Sequence, residues 1–311
     1  MKQYGIMFFV LALWCALLPA IGVSPSEAAA YTEVSNSEEM SAAESENSVP
    51  YLGDTELTVY FKESNTVKRL ELEEYVALAL SAVMAPDSPA EALKAQAIAI
   101  RTLALYAANE ATHPDYDLCD NHLHCQPVAE KAEDAHYRAV ADTAGEILTY
   151  GGKAAYTLSH LSSCLSTEPY GEELPYLAKA AVRDESFFEC YRTEYSFDKD
   201  SFAAAFNGLG CVFTGDYESW IGDISFTEGS RVELIELGGS TVKGDVFAAR
   251  LGLDSRCFTV SATSRGFTLV CYGSGSGYGM SRCSALLMAA EGMDCYEILE
   301  HFYPLTEISG C

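Results

Sequence analysis

The apolar positions fall into blocks of different period. Ile6 to Val23 is an almost unbroken apolar run behind Lys2, with Pro19 late in it and Ala28-Ala29-Ala30 after it. A basic start, a short apolar stretch and small residues at its end predict an export segment over residues 1–30, cleaved as a signal peptide or kept as a membrane anchor helix. From Tyr31 the hydrophobic residues become singles scattered among Glu, Ser, Asn and Ala. Such a stretch lacks the apolar area to offset ordering, so residues 31–56 read as an acidic flexible linker. Leu57-Thr58-Val59-Tyr60-Phe61 then mixes β-branched and aromatic residues and predicts the first strand of a domain over 57–311.

Leu72 to Met84 is rich in Ala and Leu and predicts a helix, broken at Ala85-Pro86-Asp87-Ser88-Pro89. The next helix is predicted from Ala90 to about Asn109. Pro89 and Glu91 suit its first turn, where a missing N–H costs nothing and a carboxylate meets the positive helix end. Its many alanines allow another backbone to come close, which predicts a tightly packed helical pair. Further on, Arg231 to Leu237 reads as a strand, Gly238-Gly239-Ser240 as its turn, Val246 to Leu251 as a short helix and Phe267 to Val270 as a strand. A last helix is predicted from Ser281 to about Glu291, stopped by Gly292. The fold class is therefore α+β, an Ala-rich helical pair packed with mainly antiparallel sheet behind an N-terminal signal or anchor helix.

Composition narrows the partners. The chain has 311 residues, 49% of them hydrophobic, which is enough to bury a sizeable core and excludes disorder of the whole. A balance of 19 Lys+Arg against 45 Asp+Glu gives a net charge of -26. That charge repels a phosphate backbone and argues against nucleic acid, and against an anionic membrane surface, as a partner.

The run His113 to Gln126 concentrates candidate chemistry: it contains His113, Cys119, His122, His124 and Cys125. Thiolates and imidazoles in one short loop suit zinc, and four protein ligands would make the ion structural. His113, Cys119, His124 and Cys125 form one such set, with His122 a rival; a Cys119–Cys125 disulfide with solvated histidines is the other reading. Near the C-terminus, Gly273-Ser274-Gly275-Ser276-Gly277-Tyr278-Gly279 has glycine at every second position and no following Lys-Ser/Thr, so it is not a phosphate loop. His160 beside Ser162 and Ser163 hints at a serine nucleophile, but a triad is recognised by geometry, not by proximity in sequence.

Glu74-Tyr75, the break after Met84, and Glu91-Ala92-Leu93-Lys94-Ala95-Gln96-Ala97 to Arg101-Thr102 resemble the signature of the stage II sporulation protein D family, which includes amidase-enhancer domains. Ala139-Val140 to Tyr150, and Gly279-Met280-Ser281 through His301-Phe302-Tyr303-Pro304, resemble further blocks of it, so the likeness runs from about Leu57 to Ile308. The resemblance implies an extracytoplasmic protein, secreted or anchored by one N-terminal helix. It also implies peptidoglycan glycan strands as the ligand, with a cell-wall amidase and membrane sporulation proteins as further partners. It places a two-His, two-Cys zinc site on His113, Cys119, His124 and Cys125.

Members described as lytic transglycosylases use one Glu to protonate the leaving oxygen and then accept the proton of the sugar's own 6-hydroxyl, giving a 1,6-anhydro end. In the family that Glu directly precedes the Met ending the first helix. Here the position is Val83, and the spacing from Met84 to Glu91 leaves no gap through which Glu73 or Glu74 could move into register. The resemblance further places Arg101, His160, Ser162, Ser163, Thr167, Glu168, Ser276, Met280 and Ser281 at the substrate cleft. Cys164-Leu165 stand where the family has a Gly pair, Ser276 where it has His, and Arg282-Cys283-Ser284 where it has Gln-Tyr-Gly. The expectation is a glycan-binding relative with weak or lost catalysis; the alternative is an active transglycosylase with its acid relocated to Asp87 or Glu168. Of the ten cysteines after Cys15, Cys164 and Cys283 fall at cleft positions of the family, and a bridge between them is expected on that basis.

Overall fold

The computed structural model describes residues 55–111, 113–121 and 125–310. The export segment, nearly all of the acidic linker, His122 and His124 lie outside the described residues. Among the described residues there are seven α-helices, and none is long and apolar enough to cross a membrane.

The chain enters as a hairpin, β1 (Glu56–Phe61) with β2 (Thr66–Glu71), paired in the register Val59 with Lys68. Two helices follow, α1 (Leu72–Val83) and α2 (Ala90–Asn109). Ala77, Ala79, Ala92, Ala95, Ala97 and Ala99 are all buried, the close packing the sequence predicts. Arg101 on α2 is wholly buried and forms a fork with Glu73 in the first turn of α1, Nε to Oε1 at 2.9 Å and Nη2 to Oε2 at 2.6 Å. Its remaining N–H groups go to the carbonyls of Glu146 and Val140. This guanidinium, expected at a substrate cleft, is a buried clamp between helices.

A two-residue strand, β3 (Leu118–Cys119), adds parallel to β1. Then come α3 (Asp134–Asp142), β4 (Glu146–Tyr150), β5 (Lys153–Ala154) and β6 (Ser159–His160). Residues 161–188 contain no regular helix and are held by isolated bridges such as Ser162 with Ser274 and Glu168 with Tyr278.

A second apolar core follows in sequence. Strand β7 (Arg192–Asp198) and α4 (Lys199–Ala205) precede the meander β8 (Ile221–Phe226), β9 (Val232–Leu237) and β10 (Ser240–Lys243). Helix α5 (Gly244–Leu251) and the hairpin β11 (Phe258–Thr263) and β12 (Gly266–Tyr272) complete it. Phe202, Phe206, Phe247, Phe258 and Phe267 fill its centre, with Phe202 and Phe267 rings 4.2 Å apart. Both three-stranded sheets here are antiparallel, as the α+β reading expects.

The chain then returns to the first core through β13 (Met280–Ser281), parallel to β6, and α6 (Arg282–Ala290). Helix α6 is not the last: α7 (Cys295–Phe302) follows, opened by a capping box between Asp294 and Glu297, and β14 (Glu307–Gly310) closes against β4.

Candidate functional site

Between the two apolar cores lies a polar seam built on the segment 160–185, the glycine run and the start of β9. Its centre is Glu185, 1% exposed. Ser162 Oγ and the Ser163 backbone N–H donate to its Oε2 at 2.6 and 2.8 Å, and the Ser281 and Ser284 hydroxyls donate to its Oε1, both at 2.6 Å. A buried carboxyl group survives only when its lone pairs are met, and here four donors meet them. Beside it Arg231, 1% exposed, donates from Nη1 to Glu168 Oε2 at 3.3 Å and to the Ser166 and Gly229 carbonyls. Thr227 Oγ1 donates to the same Glu168 oxygen at 2.9 Å.

His160 joins the two groups. Its Nδ1 faces the Tyr278 carbonyl at 3.0 Å, an acceptor, so Nδ1 carries the proton. Nε2 is then the acceptor for the Ser163 hydroxyl at 2.5 Å, and Ser163 Oγ in turn accepts from Arg231 Nη2 at 3.3 Å. Burial, with the Arg231 and Arg282 charges adding to it, pulls the imidazole down to about 3, so the ring is neutral. A hydroxyl donating to a neutral imidazole is the geometry of an activated serine, but Ser163 is fully buried and its oxygen is also occupied by a guanidinium. The hydroxyl thus links the imidazole to the guanidinium inside the core.

The glycine run explains how the seam stays closed. A Cβ at Gly277 would overlap the Arg231 guanidinium, and one at Gly279 would overlap the Leu158 carbonyl. The alternate glycines are where this strip lies flat on segment 158–164 and on Arg231.

The residues expected at a cleft are therefore brought together, but under the surface. His160, Ser162, Ser163, Thr167, Glu168, Met280 and Ser281 are all buried, whereas Ser276 is exposed. Thr167 Oγ1 is spent on the Ala178 carbonyl and the Ala180 N–H. Glu168 accepts from both Arg231 and Thr227. Asp87 sits in the exposed turn before α2. Val83, half-buried at the end of α1, packs against the helical core, and His136 Nε2 donates to the carbonyl of the next residue, Met84, at 3.0 Å. Glu185 and Arg231 were not among the residues singled out from sequence; no motif surrounds either one, and their partners lie far away in the chain.

Three of the four expected metal donors converge. His113, Cys119 and Cys125 place one ligand atom each within 4.8 Å of the others, and His113 Nε2 lies 3.2 Å from Cys125 Sγ. Zinc–sulfur bonds of about 2.3 Å in a tetrahedron space ligands roughly 3 to 4 Å apart, a range the His113–Cys125 pair meets, and an imidazole with two thiols is a donor set that suits that ion. The fourth expected donor, His124, lies outside the described residues.

A groove of about 420 Å³ opens beside this cluster, lined in part by Tyr106, Tyr156, Tyr170, Gln126, Glu110 and Glu173. Tyr106 and Tyr156 rings are 4.8 Å apart, and Tyr170 meets Tyr156 edge-on at 6.1 Å. Burial pushes Tyr106 up to about 12, with Glu110 adding to it, so its hydroxyl remains a donor. The groove and Val83 occupy opposite ends of the helical pair. Arg101 meets Glu73 at the start of α1, the groove follows Arg101 along α2, and Val83 is ten residues, about 15 Å, further along α1 from Glu73.

The cysteine pairing differs from expectation. Cys283 Sγ lies 3.6 Å from Cys190 Sγ, not beside Cys164, whose neighbouring thiol is that of Cys257.

The sequence has known relatives. The family model described as "Stage II sporulation protein" matches residues 60–150. Stage II sporulation protein D of Bacillus subtilis (strain 168) is 31% identical over 347 aligned positions, covering 99% of this chain and 96% of that protein. Stage II sporulation protein D of Bacillus amyloliquefaciens is 28% identical with the same coverage, 99% and 96%. An uncharacterized protein of Brachyspira hyodysenteriae is 28% identical over 83% of this chain and 72% of its own length. The chain belongs to the stage II sporulation protein D family.

Proposed function

We propose that this protein is an extracytoplasmic, glycan-binding member of its family with weak or no lytic transglycosylase turnover. The observation that carries the reading is the residue at the family's acid position: Val83 is half-buried against the helical core and has no proton to give. Neither candidate for relocation serves. Glu168 has its carboxyl group committed to Arg231 and Thr227 inside the seam, and Asp87 stands in an exposed turn with no enclosure to favour its acid form. The tyrosine groove supports retained binding, since aromatic faces, protonated hydroxyls and rim carboxylates are what a pyranose with its apolar faces and hydroxyl edge requires. The same reading takes His113, Cys119 and Cys125, with His124, as ligands of a structural zinc that fixes the loop beside that groove.

The test uses peptidoglycan strands stripped of peptides. Incubated with the protein, they are expected to be retained without release of 1,6-anhydro products. Val83→Glu is the companion measurement: turnover gained by that variant would identify the missing carboxyl group as the cause of silence. Tyr170→Ala is expected to weaken strand retention several-fold while leaving the melting temperature within about 1 °C, because this ring is 44% exposed. Products formed by the natural chain would overturn the non-catalytic reading, and absence of retention would overturn glycan binding.

A further inference from the structure

Four cysteines form two contacting pairs along the polar seam. Cys190 precedes β7 and is half-buried, and its sulfur lies 3.6 Å from that of Cys283 in the first turn of α6. Cys164, half-buried in the segment 161–188, is a neighbour of Cys257, which is 7% exposed just ahead of β11. Among the described residues, the other cysteines outside the metal cluster lie elsewhere: Cys211 is beside Ser240, Cys271 Sγ meets the Ser255 carbonyl at 3.7 Å, and Cys295 is beside Glu91. Each pair joins residues 93 positions apart, and the two intervals interlock, so each link would tie the helix-poor segment to a different layer.

We propose that Cys190–Cys283 and Cys164–Cys257 are two disulfide sites, closed by thiol–disulfide exchange under oxidising conditions and holding the segment 161–190 against both cores. The setting in which this happens rests on the extracytoplasmic reading above. An S–S bond of about 2.05 Å asks each Cys190 and Cys283 sulfur to move by under about 1 Å, within reach of a side-chain rotation. The more accessible member of each pair starts the exchange. Cys164 is suited to it: the hydrogen bond from Cys257 and the Arg231 charge hold its thiol below the ordinary range, while Cys257 is pushed up. The Cys164 thiolate attacks an external disulfide, small-molecule or protein, forming a mixed disulfide and expelling one thiolate. That thiolate takes the Cys257 proton, and the Cys257 sulfur then attacks the Cys164 sulfur and expels the second. Two protein thiols are oxidised and one external disulfide is reduced to two thiols; Cys190 and Cys283 follow the same balance. Links closing loops this long restrict the unfolded chain most, which is useful for a segment with little secondary structure of its own.

The experiment alkylates the full chain under denaturing conditions and maps its linked peptides by mass spectrometry, in three states: exported by a host, made in a reducing cytoplasm, and the latter treated with oxidised glutathione. Peptides linking Cys190 to Cys283 and Cys164 to Cys257 are expected in the exported and glutathione-treated states. Reduction is expected to lower the melting temperature by roughly 10 °C, and Cys190→Ser with Cys283→Ser to remove part of that shift. Links in the glutathione arm with free thiols in the exported arm would support the pairing and overturn the extracytoplasmic reading instead. Four free thiols after glutathione treatment, or a Cys164–Cys283 link, would overturn the proposal.

Discussion

His160 is held neutral in a site closed to water, and this couples the fold to acid. Its folded value of about 3 lies below the ordinary 6.5, so between those values the unfolded chain binds a proton that the folded chain refuses. The stabilisation is full above about pH 6.5 and is lost as pH falls toward 3, at up to roughly 1.4 kcal/mol per pH unit. His160→Gln, which keeps a donor and an acceptor but cannot titrate here, is expected to flatten the fall of melting temperature between pH 6.5 and 4.5; an unchanged slope would assign acid lability to other groups. Glu185 carries the opposite kind of risk. Removing its carboxyl group in Glu185→Ala strands three hydroxyls and one N–H in the seam, an expected loss of roughly 3 kcal/mol or more by denaturant titration. Neither residue's role is written in its neighbourhood. His160 is visible because a family block surrounds it, whereas Glu185 lies in Val182-Arg183-Asp184-Glu185-Ser186, which looks like any polar loop until Ser281 and Ser284 arrive from almost a hundred residues away.

Elements with strong local signals are the ones sequence places well. Helix α2 runs from Ala90 to Asn109 as predicted, because Pro89 fixes its start and its alanines and straight-chain residues favour no other state. Helix α7 is missed although its Asp294 and Glu297 capping box is present in the sequence; the Gly292 stop draws attention away from the short apolar stripe of Ile298, Leu299 and Phe302 behind it. The cysteine partners are illegible for a related reason, since disulfide-range contacts depend on how two cores meet and not on any local period. The glycine run shows local sequence and packing acting together. Gly279 has φ +67°, and a Cβ there would overlap the Leu158 carbonyl, which already accepts from the Tyr303 hydroxyl at 2.6 Å and the Met280 N–H at 3.0 Å. Gly279→Ala must strain the backbone and push apart β6 and β13. A loss of about 2 to 4 kcal/mol is expected in chemical denaturation, whereas Gly152→Ala, with a similar φ of +77° but open space around it, should cost no more than about 1 to 2 kcal/mol.

At the scale of the molecule, the first core is closed at one edge by very little. Strand β3 contributes just two positions to its sheet, Leu118 opposite Val59 and Cys119 opposite Tyr60, flanked by bonds from the Asp117 N–H to the Thr58 carbonyl and from the Asp120 N–H to the Tyr60 carbonyl. Cys119 is at once a strand residue and a member of the His113–Cys119–Cys125 cluster, so an ion there ties β3, the chain before it and the chain after it to one point. The tyrosine groove shares Leu118 and Cys125 with this corner, which makes its shape depend on the same tie. With zinc as the proposed ion, one equivalent is expected in the purified protein by elemental analysis. A strong chelator at neutral pH is expected to lower the melting temperature and to weaken strand retention together, and added zinc to restore both. Cys119→Ser should reproduce the chelated state. The seam around Glu185 and Arg231 lies in a different part of the chain, so the acid-dependent loss of stability assigned to His160 should persist after chelation; its disappearance would mean that the two sites fold as one unit. Zinc absent from the protein, with a chelator-insensitive melt, would return Cys119 and Cys125 to the disulfide reading that their spacing alone allows.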